Sequence, residues 1–143
     1  MPKRILIAYG SRFGCTGEIS SELANVLDEA GFKTSVVDLG HTEHKDWPDI
    51  EEFDGVIVGS SIKVDHWKKE VESFLKLSNR SLKRKKKLLA LFVCSGNAIY
   101  DSDKAKKQYV ENFIERNNLK AELYEIFPRV FDFSQNSRME FLD

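Results

Sequence analysis

The sequence predicts an α/β fold of three layers, a five-stranded parallel sheet of order 2-1-3-4-5 with helices on both faces. Three observations lead to the class, and the strand order is the one that sets three turns side by side at one edge. Apolar strand-like runs alternate with helical periodicity along all 143 residues. Several runs stay apolar for four to seven residues without alternating, as strands buried on both faces do. Three of the runs end in turns of small and hydroxylated residues that lead into helices. Right-handed crossovers between parallel strands then give an open sheet, and ligands in such sheets sit at the carboxyl ends of strands where the order reverses.

The strand candidates are residues 4–9, 34–39, 55–59, 88–94 and 122–127. The first helix carries Ile19, Leu23, Leu27 and Ala30 on one stripe and stops at Gly31. A second stripe is Trp67, Val71, Phe74 and Leu75, and a third is Ala105, Tyr109, Phe113 and Ile114. In residues 40–53, Pro48 is placed to open a short helix at its first position, with Ile50 and Phe53 turned inward. The chain reads as one domain over residues 1–143, with no internal repeat and no low-complexity linker. After the fifth strand candidate only residues 137–143 can begin a further helix, of about two turns. Phe131, Phe133, Met139, Phe141 and Leu142 are more apolar than a free tail. The tail is therefore expected to fold back, with a second copy of the chain covering the remaining apolar surface as a homodimer; a partner protein or a further downstream segment are the alternatives.

Composition narrows the classes of function. Hydrophobic residues make up 41% and charged residues 31%, an ordinary globular balance. No apolar run reaches the ~20 residues of a membrane span. The start, "MPKRILIAYG", passes into a strand pattern without a small-residue cleavage site, which argues against a secretory signal. Two cysteines, Cys15 and Cys94, fit a reducing compartment, and the expected location is the cytoplasm. The 22 basic and 23 acidic residues nearly cancel but are unevenly spread. Residues 18–54 hold eleven acidic residues against two lysines, and residues 63–87 hold ten basic against three acidic. Two solvated faces are the plain account, and steering of a charged partner is the functional one.

The three turns carry the chemistry. In "YGSRFGCT", Gly10 and Gly14 permit backbone turns that a Cβ would forbid, and Ser11 and Thr16 supply hydroxyls before a helix. A helix N-terminus of this kind suits an anion, a phosphate above all; a plain βα turn with a Ser/Thr cap is the alternative. Cys15 stands where a nucleoside-triphosphate loop needs lysine, and the glycine spacing does not match a dinucleotide fingerprint. Gly59, Ser60 and Ser61 form a second small-residue exit, followed by His66 and Trp67. Ser95, Gly96 and Asn97 form a third, followed by Tyr100. Small residues let a flat ring approach the backbone, and Trp67 and Tyr100 can stack on its faces. Core packing is the competing account of Trp67, and a surface loop position that of Tyr100.

Together, "YGSRFGCTGEIS", "VIVGSSIKVDHWKKEVESFL" and "LFVCSGNAIYDSDKAKKQYVENFI" resemble the flavodoxin-domain family. The nearest branch holds short flavodoxin-like proteins and oxygen-independent protoporphyrinogen oxidases. The resemblance covers residues 4–133 and implies non-covalent FMN. By it, Ser11, Arg12, Phe13, Gly14, Cys15 and Thr16 wrap the phosphate. Ser60, Ser61, Ile62 and Lys63 line one side of the isoalloxazine, and Ser95, Gly96, Asn97 and Ala98 its pyrimidine side. The sequence departs from the family in three ways. Cys15 replaces the usual Asn, Gln or Thr, though a backbone N–H still serves there. Residues 62–66 lack the glycine whose peptide flip, in many electron carriers, stabilises the one-electron-reduced flavin. The chain is also not strongly acidic.

Other motifs in the chain fit less well. "VCSGNAIYD" resembles the Cys-x5-Arg loop of small tyrosine phosphatases, but Tyr100 stands where the bidentate arginine must be. A receiver domain needs an aspartate after the third strand, where this chain has Ser60. His41, His44 and Asp46 lie in a polar loop without a further ligand set, so no metal is expected. The basic run 83–87 falls at the amino end of the sheet. It reads as a solvated face, with anionic lipid or nucleic acid as the sharper alternative; no nucleic-acid partner is expected. Cys94 ends a buried strand and reads as inert. The thiolate character a helix N-terminus favours at Cys15 would be opposed by a neighbouring phosphate. The expectation is an FMN-binding electron carrier that serves redox partner proteins and has no catalytic side chain of its own, because the chemistry belongs to the flavin. The alternative is a flavin-dependent oxidoreductase of the protoporphyrinogen oxidase or quinone reductase type.

Overall fold

The computed structural model describes residues 3–11, 14–63, 66–95 and 102–128. Five strands run parallel: β1 (Arg4–Gly10), β2 (Lys33–Asp38), β3 (Gly55–Lys63), β5 (Leu88–Ser95) and β6 (Leu123–Pro128). Their spatial order is β2-β1-β3-β5-β6, which is the order 2-1-3-4-5 of the parallel strands. A sixth, two-residue strand, β4 (His66–Trp67), folds back antiparallel on the end of β3, pairing Ile62 with Trp67 and Lys63 with His66. The third strand is thus longer than residues 55–59, and Ser60, Ser61, Ile62 and Lys63 belong to the sheet rather than to a loop. The hairpin extends the ladder, and backbone pairing decides where a strand stops.

Burial follows the sequence pattern. Ile7 and Ala8 of β1 and Val93 and Cys94 of β5 are fully buried. The edge strand β2, "KTSVVD", stays largely open. The main core lies on one face, where Leu6, Val58, Leu91 and Val93 meet Val71, Phe74 and Leu75 of α2 (Lys69–Arg84) and Val110 and Phe113 of the next helical segment. Trp67 joins this core from β4, just ahead of α2.

α1 (Cys15–Glu29) covers the other face. Its inward residues are Cys15, Thr16, Ser20 and Ala24, while Ile19, Leu23 and Leu27 are only half-buried and Ala30 is exposed. The predicted stripe is therefore rotated from the true inner face. Small side chains let the helix axis sit close to the strands, which a row of leucines would prevent. The helix stops as expected at Gly31, whose φ of 97° is left-handed, and Phe32 N–H returns to the Leu27 carbonyl at 3.0 Å.

The crossover from β2 to β3 holds no α-helix, contrary to the reading of Pro48. Three 3-10 turns, Leu39–His41, His44–Asp46 and Ile50–Glu52, replace it. Asp38 accepts from Gly40 N–H at 3.1 Å and Asp49 from Glu51 N–H at 3.0 Å, and such side-chain caps compete with helix propagation. Few residues separate Pro48 from the start of β3, too few to repay helix nucleation. Ile50 and Phe53 nonetheless turn inward, at 4% and 5% exposure.

The last helical segment is α3 (Ser102–Lys106), a π-turn (Lys107–Glu111) and α4 (Asn112–Arg116). Ala105, Tyr109 and Phe113 are buried on it as the periodicity indicated. At the opposite end of the sheet from the three turns, Arg84 pairs with Glu51 at 3.3 Å and Lys87 Nζ donates to the Glu51 carbonyl at 3.2 Å. The basic run is thus partly tied into the fold. The expectations for the C-terminal tail fall outside the described residues.

Candidate functional site

The carboxyl ends of β1, β3 and β5 meet around the first turn of α1. Gly14 precedes the helix with φ 97° and ψ −20°, and α1 has no side-chain cap. Ser11 Oγ accepts Gly14 N–H at 2.9 Å, which folds the turn back on itself. An uncapped helix start behind a left-handed glycine is a donor-rich, positive end of a dipole. Gly10 contributes differently from the expectation. Its φ is not positive; instead, a Cβ there would meet Val71 Cγ2 of α2 at 2.7 Å. Close packing of α2 requires that glycine, and the turn itself does not.

Two buried contacts lock α1 to the sheet. Thr16 and Ser61 share a hydrogen bond between hydroxyls at 2.9 Å, with exposures of 0% and 2%. Cys15 Sγ donates to Cys94 Sγ, also at 2.9 Å. Ser61 stands opposite Cys94 in the β3–β5 register, so one helical turn is fastened to two strands at one level. The Thr16 hydroxyl thus faces Ser61, and the backbone of the turn is left to meet an anion. Sequence reading placed both cysteines at strand and helix ends but did not pair them. Their common position on the carboxyl edge was the available signal.

On β3, Ser60 donates to the Ser61 carbonyl at 2.8 Å and accepts Lys68 N–H at 2.9 Å. Its hydroxyl thereby positions the start of α2. Ile62 is buried in the main core, so only the backbone of Ser60–Ser61–Ile62 can face a ring. Ser95 ends β5 and is buried. The expectations for Arg12, Phe13, Gly96, Asn97, Ala98 and Tyr100, and for the side chain of Lys63, fall outside the described residues.

Trp67 requires a correction. It is 4% exposed, its ring stacks on Phe113 at 3.8 Å and 6°, and its Nε1–H donates to the Tyr109 carbonyl at 2.6 Å. The indole is a core side chain that braces the π-turn, and it does not offer a face to a flat cofactor. The antiparallel pairing of β4 turns it inward.

A polar group unremarked in the sequence lies at the ends of β1 and β2. Tyr9 and Asp38 are register partners. Burial pushes the Tyr9 hydroxyl above its ordinary pKa, and the Asp38 charge and a hydrogen bond to it push in the same direction. Asp38 also takes His41 Nδ1 at 2.9 Å. His44 stacks on Trp47 at 3.9 Å. The two histidines therefore have separate local partners.

Comparison with known proteins agrees with this geometry. The family model described as "Flavodoxin domain" matches residues 6–135. The protoporphyrinogen IX dehydrogenase (quinone) of Escherichia coli (strain K12) is 34% identical over 73 residues, which are 51% of this chain and 39% of that protein. The match thus spans well under half the length of that curated relative. Among solved structures, the rubredoxin oxygen:oxidoreductase of Desulfovibrio gigas superposes with a TM-score of 0.68 at 15% identity, over 93% of this chain and 32% of that one. The flavodoxin of Streptococcus pneumoniae TIGR4 superposes with a TM-score of 0.61 at 21% identity, over 90% of this chain and 88% of that one.

Proposed function

This chain belongs to the flavodoxin-domain family, whose cofactor is FMN, and on that premise we propose that it is an electron carrier for redox partner proteins in the cytoplasm. The observation that carries the reading is the uncapped start of α1 behind Gly14, set where three strand ends converge. The residues present fit the cofactor. Cys15 and Thr16 would turn backbone N–H groups of the first helical turn to the phosphate, and the Gly14 N–H, bonded here to Ser11 Oγ at 2.9 Å, would join them by exchanging that acceptor for a phosphate oxygen. The backbone of Ser60, Ser61 and Ile62 would flank the ring. Bound FMN supplies one- and two-electron chemistry. The protein's share is binding, orientation and local charge.

Within this reading Thr16–Ser61 and Cys15–Cys94 keep the turn in place before the ligand arrives, so little ordering is left to the binding step. The test is titration of the apoprotein with FMN and with riboflavin, followed by flavin fluorescence. A phosphate held by charge-assisted hydrogen bonds of about 1.5–3 kcal/mol each should favour FMN by at least about 100-fold. Equal affinities would refute the phosphate turn.

A second reading, a flavin-dependent oxidoreductase with its own substrate, is supported by the 73-residue match to the quinone-linked dehydrogenase. Steady reduction of a quinone by the FMN-loaded chain with protoporphyrinogen as donor, and with no added protein partner, would favour it over the carrier.

A further inference from the structure

The chain's two cysteines, 79 positions apart, meet at the turn that opens α1. Their sulfurs lie 2.9 Å apart and both side chains are buried, at 3% exposure for Cys15 and 0% for Cys94. A disulfide is about 2.05 Å long, so under about 1 Å of approach separates contact from bond. Neither residue has to swing into place. Cys15 is held by the first turn of α1, which Thr16 fastens to Ser61, and Cys94 is held in register opposite that same Ser61. Cys15, at the junction of turn and helix and 3% exposed against 0% for Cys94, is the more accessible of the two thiols.

We propose that Cys15 and Cys94 are a reversible dithiol–disulfide pair, which a small-molecule disulfide such as oxidised glutathione converts into a staple between α1 and β5. The Cys15 thiolate attacks one glutathione sulfur, forming a mixed disulfide and releasing one glutathione thiolate. The Cys94 thiolate then attacks Cys15 Sγ, forming the internal bond and releasing the second glutathione. The two thiol protons leave with the two glutathiones. The chain loses two electrons, and oxidised glutathione gains them. The bond would clamp the turn assigned above to the FMN phosphate, and only that consequence rests on the FMN reading.

The full chain is incubated for hours with a tenfold excess of oxidised over reduced glutathione, unfolded in the presence of a maleimide, and weighed intact. The expected product is a monomer lighter by two hydrogen atoms that takes up no maleimide and returns to two reactive thiols in excess reduced glutathione. C15S and C94S should each yield a glutathione adduct or an unreacted thiol in place of the bridge. The oxidised chain should also melt above the reduced one, because the bridge closes a long loop of the unfolded chain. Two maleimides on the treated wild type, glutathione adducts without a bridge, an intermolecular dimer, or a lower melting temperature after oxidation would each overturn the proposal. Mass is read without cofactor, so failure of FMN to bind leaves this result intact.

Discussion

Replacing Trp67 by Phe separates a core role from a cofactor role at one position. The indole is 4% exposed, stacked on Phe113 and bonded to the Tyr109 carbonyl. Phenylalanine keeps a ring against Phe113, so the aromatic pair largely survives. It removes the Nε1–H donor, which costs about 1 kcal/mol net and up to about 3 kcal/mol if the carbonyl is left poorly satisfied. It also removes three ring atoms from a closed site, a loss of about 1–2 kcal/mol at about 0.8 kcal/mol per buried carbon. The sum, about 2–5 kcal/mol, corresponds to a fall of roughly 10 °C in Tm for a chain of this size. Urea unfolding of the apoprotein followed by far-UV circular dichroism measures it without relying on tryptophan emission. FMN titration of the folded variant should give a Kd within about threefold of wild type. An unchanged urea midpoint would refute the core assignment. So would a tenfold loss of FMN affinity at unchanged stability, which would restore Trp67 to the cofactor.

Four further outcomes are expected. Gly59→Ala forces a methyl into the Phe92 ring, which rests directly on that glycine, and should destabilise by about 1–3 kcal/mol; an unchanged urea midpoint would contradict the packing. For Tyr9, the raised pKa means the native state keeps a proton that the unfolded chain loses above about pH 10. Stability should therefore be independent of this group below about pH 10 and fall as pH rises from there to the raised native value, and Tyr9→Phe should flatten that slope; a slope unaffected by the variant argues against it. Because residues 62–66 lack glycine, stepwise dithionite reduction of the FMN form should pass through little blue, long-wavelength species, and a large persistent one would count against this. The half-buried Ile19, Leu23 and Leu27 beside Val26, which is 57% exposed, should draw two copies together. Sedimentation should show a dimer that Val26→Glu dissociates, and a monomer at every concentration would remove the idea.

Sequence by itself determined the α/β class, the order of the five parallel strands, the stop of the first helix at Gly31 and the inward turn of Ile50 and Phe53. All but the strand order follow from local chemistry: apolar runs and a positive-φ glycine act over a few residues and leave their pattern in the chain, while the order went with the resemblance carried by the three turns. Three matters were decided only by tertiary structure. The face of α1 that meets the sheet is its small-residue face, because the allowed distance between helix and strands selects Thr16, Ser20 and Ala24 over the more hydrophobic stripe beside them. Trp67 went to the core because β4 pairs with the end of β3, and a single ladder step sets which way a side chain points. Cys15 and Cys94 became neighbours because two strand ends and a helix start share one level of the sheet. Contacts between residues 79 positions apart depend on register, and register is a property of the assembled sheet that no local stretch of sequence contains.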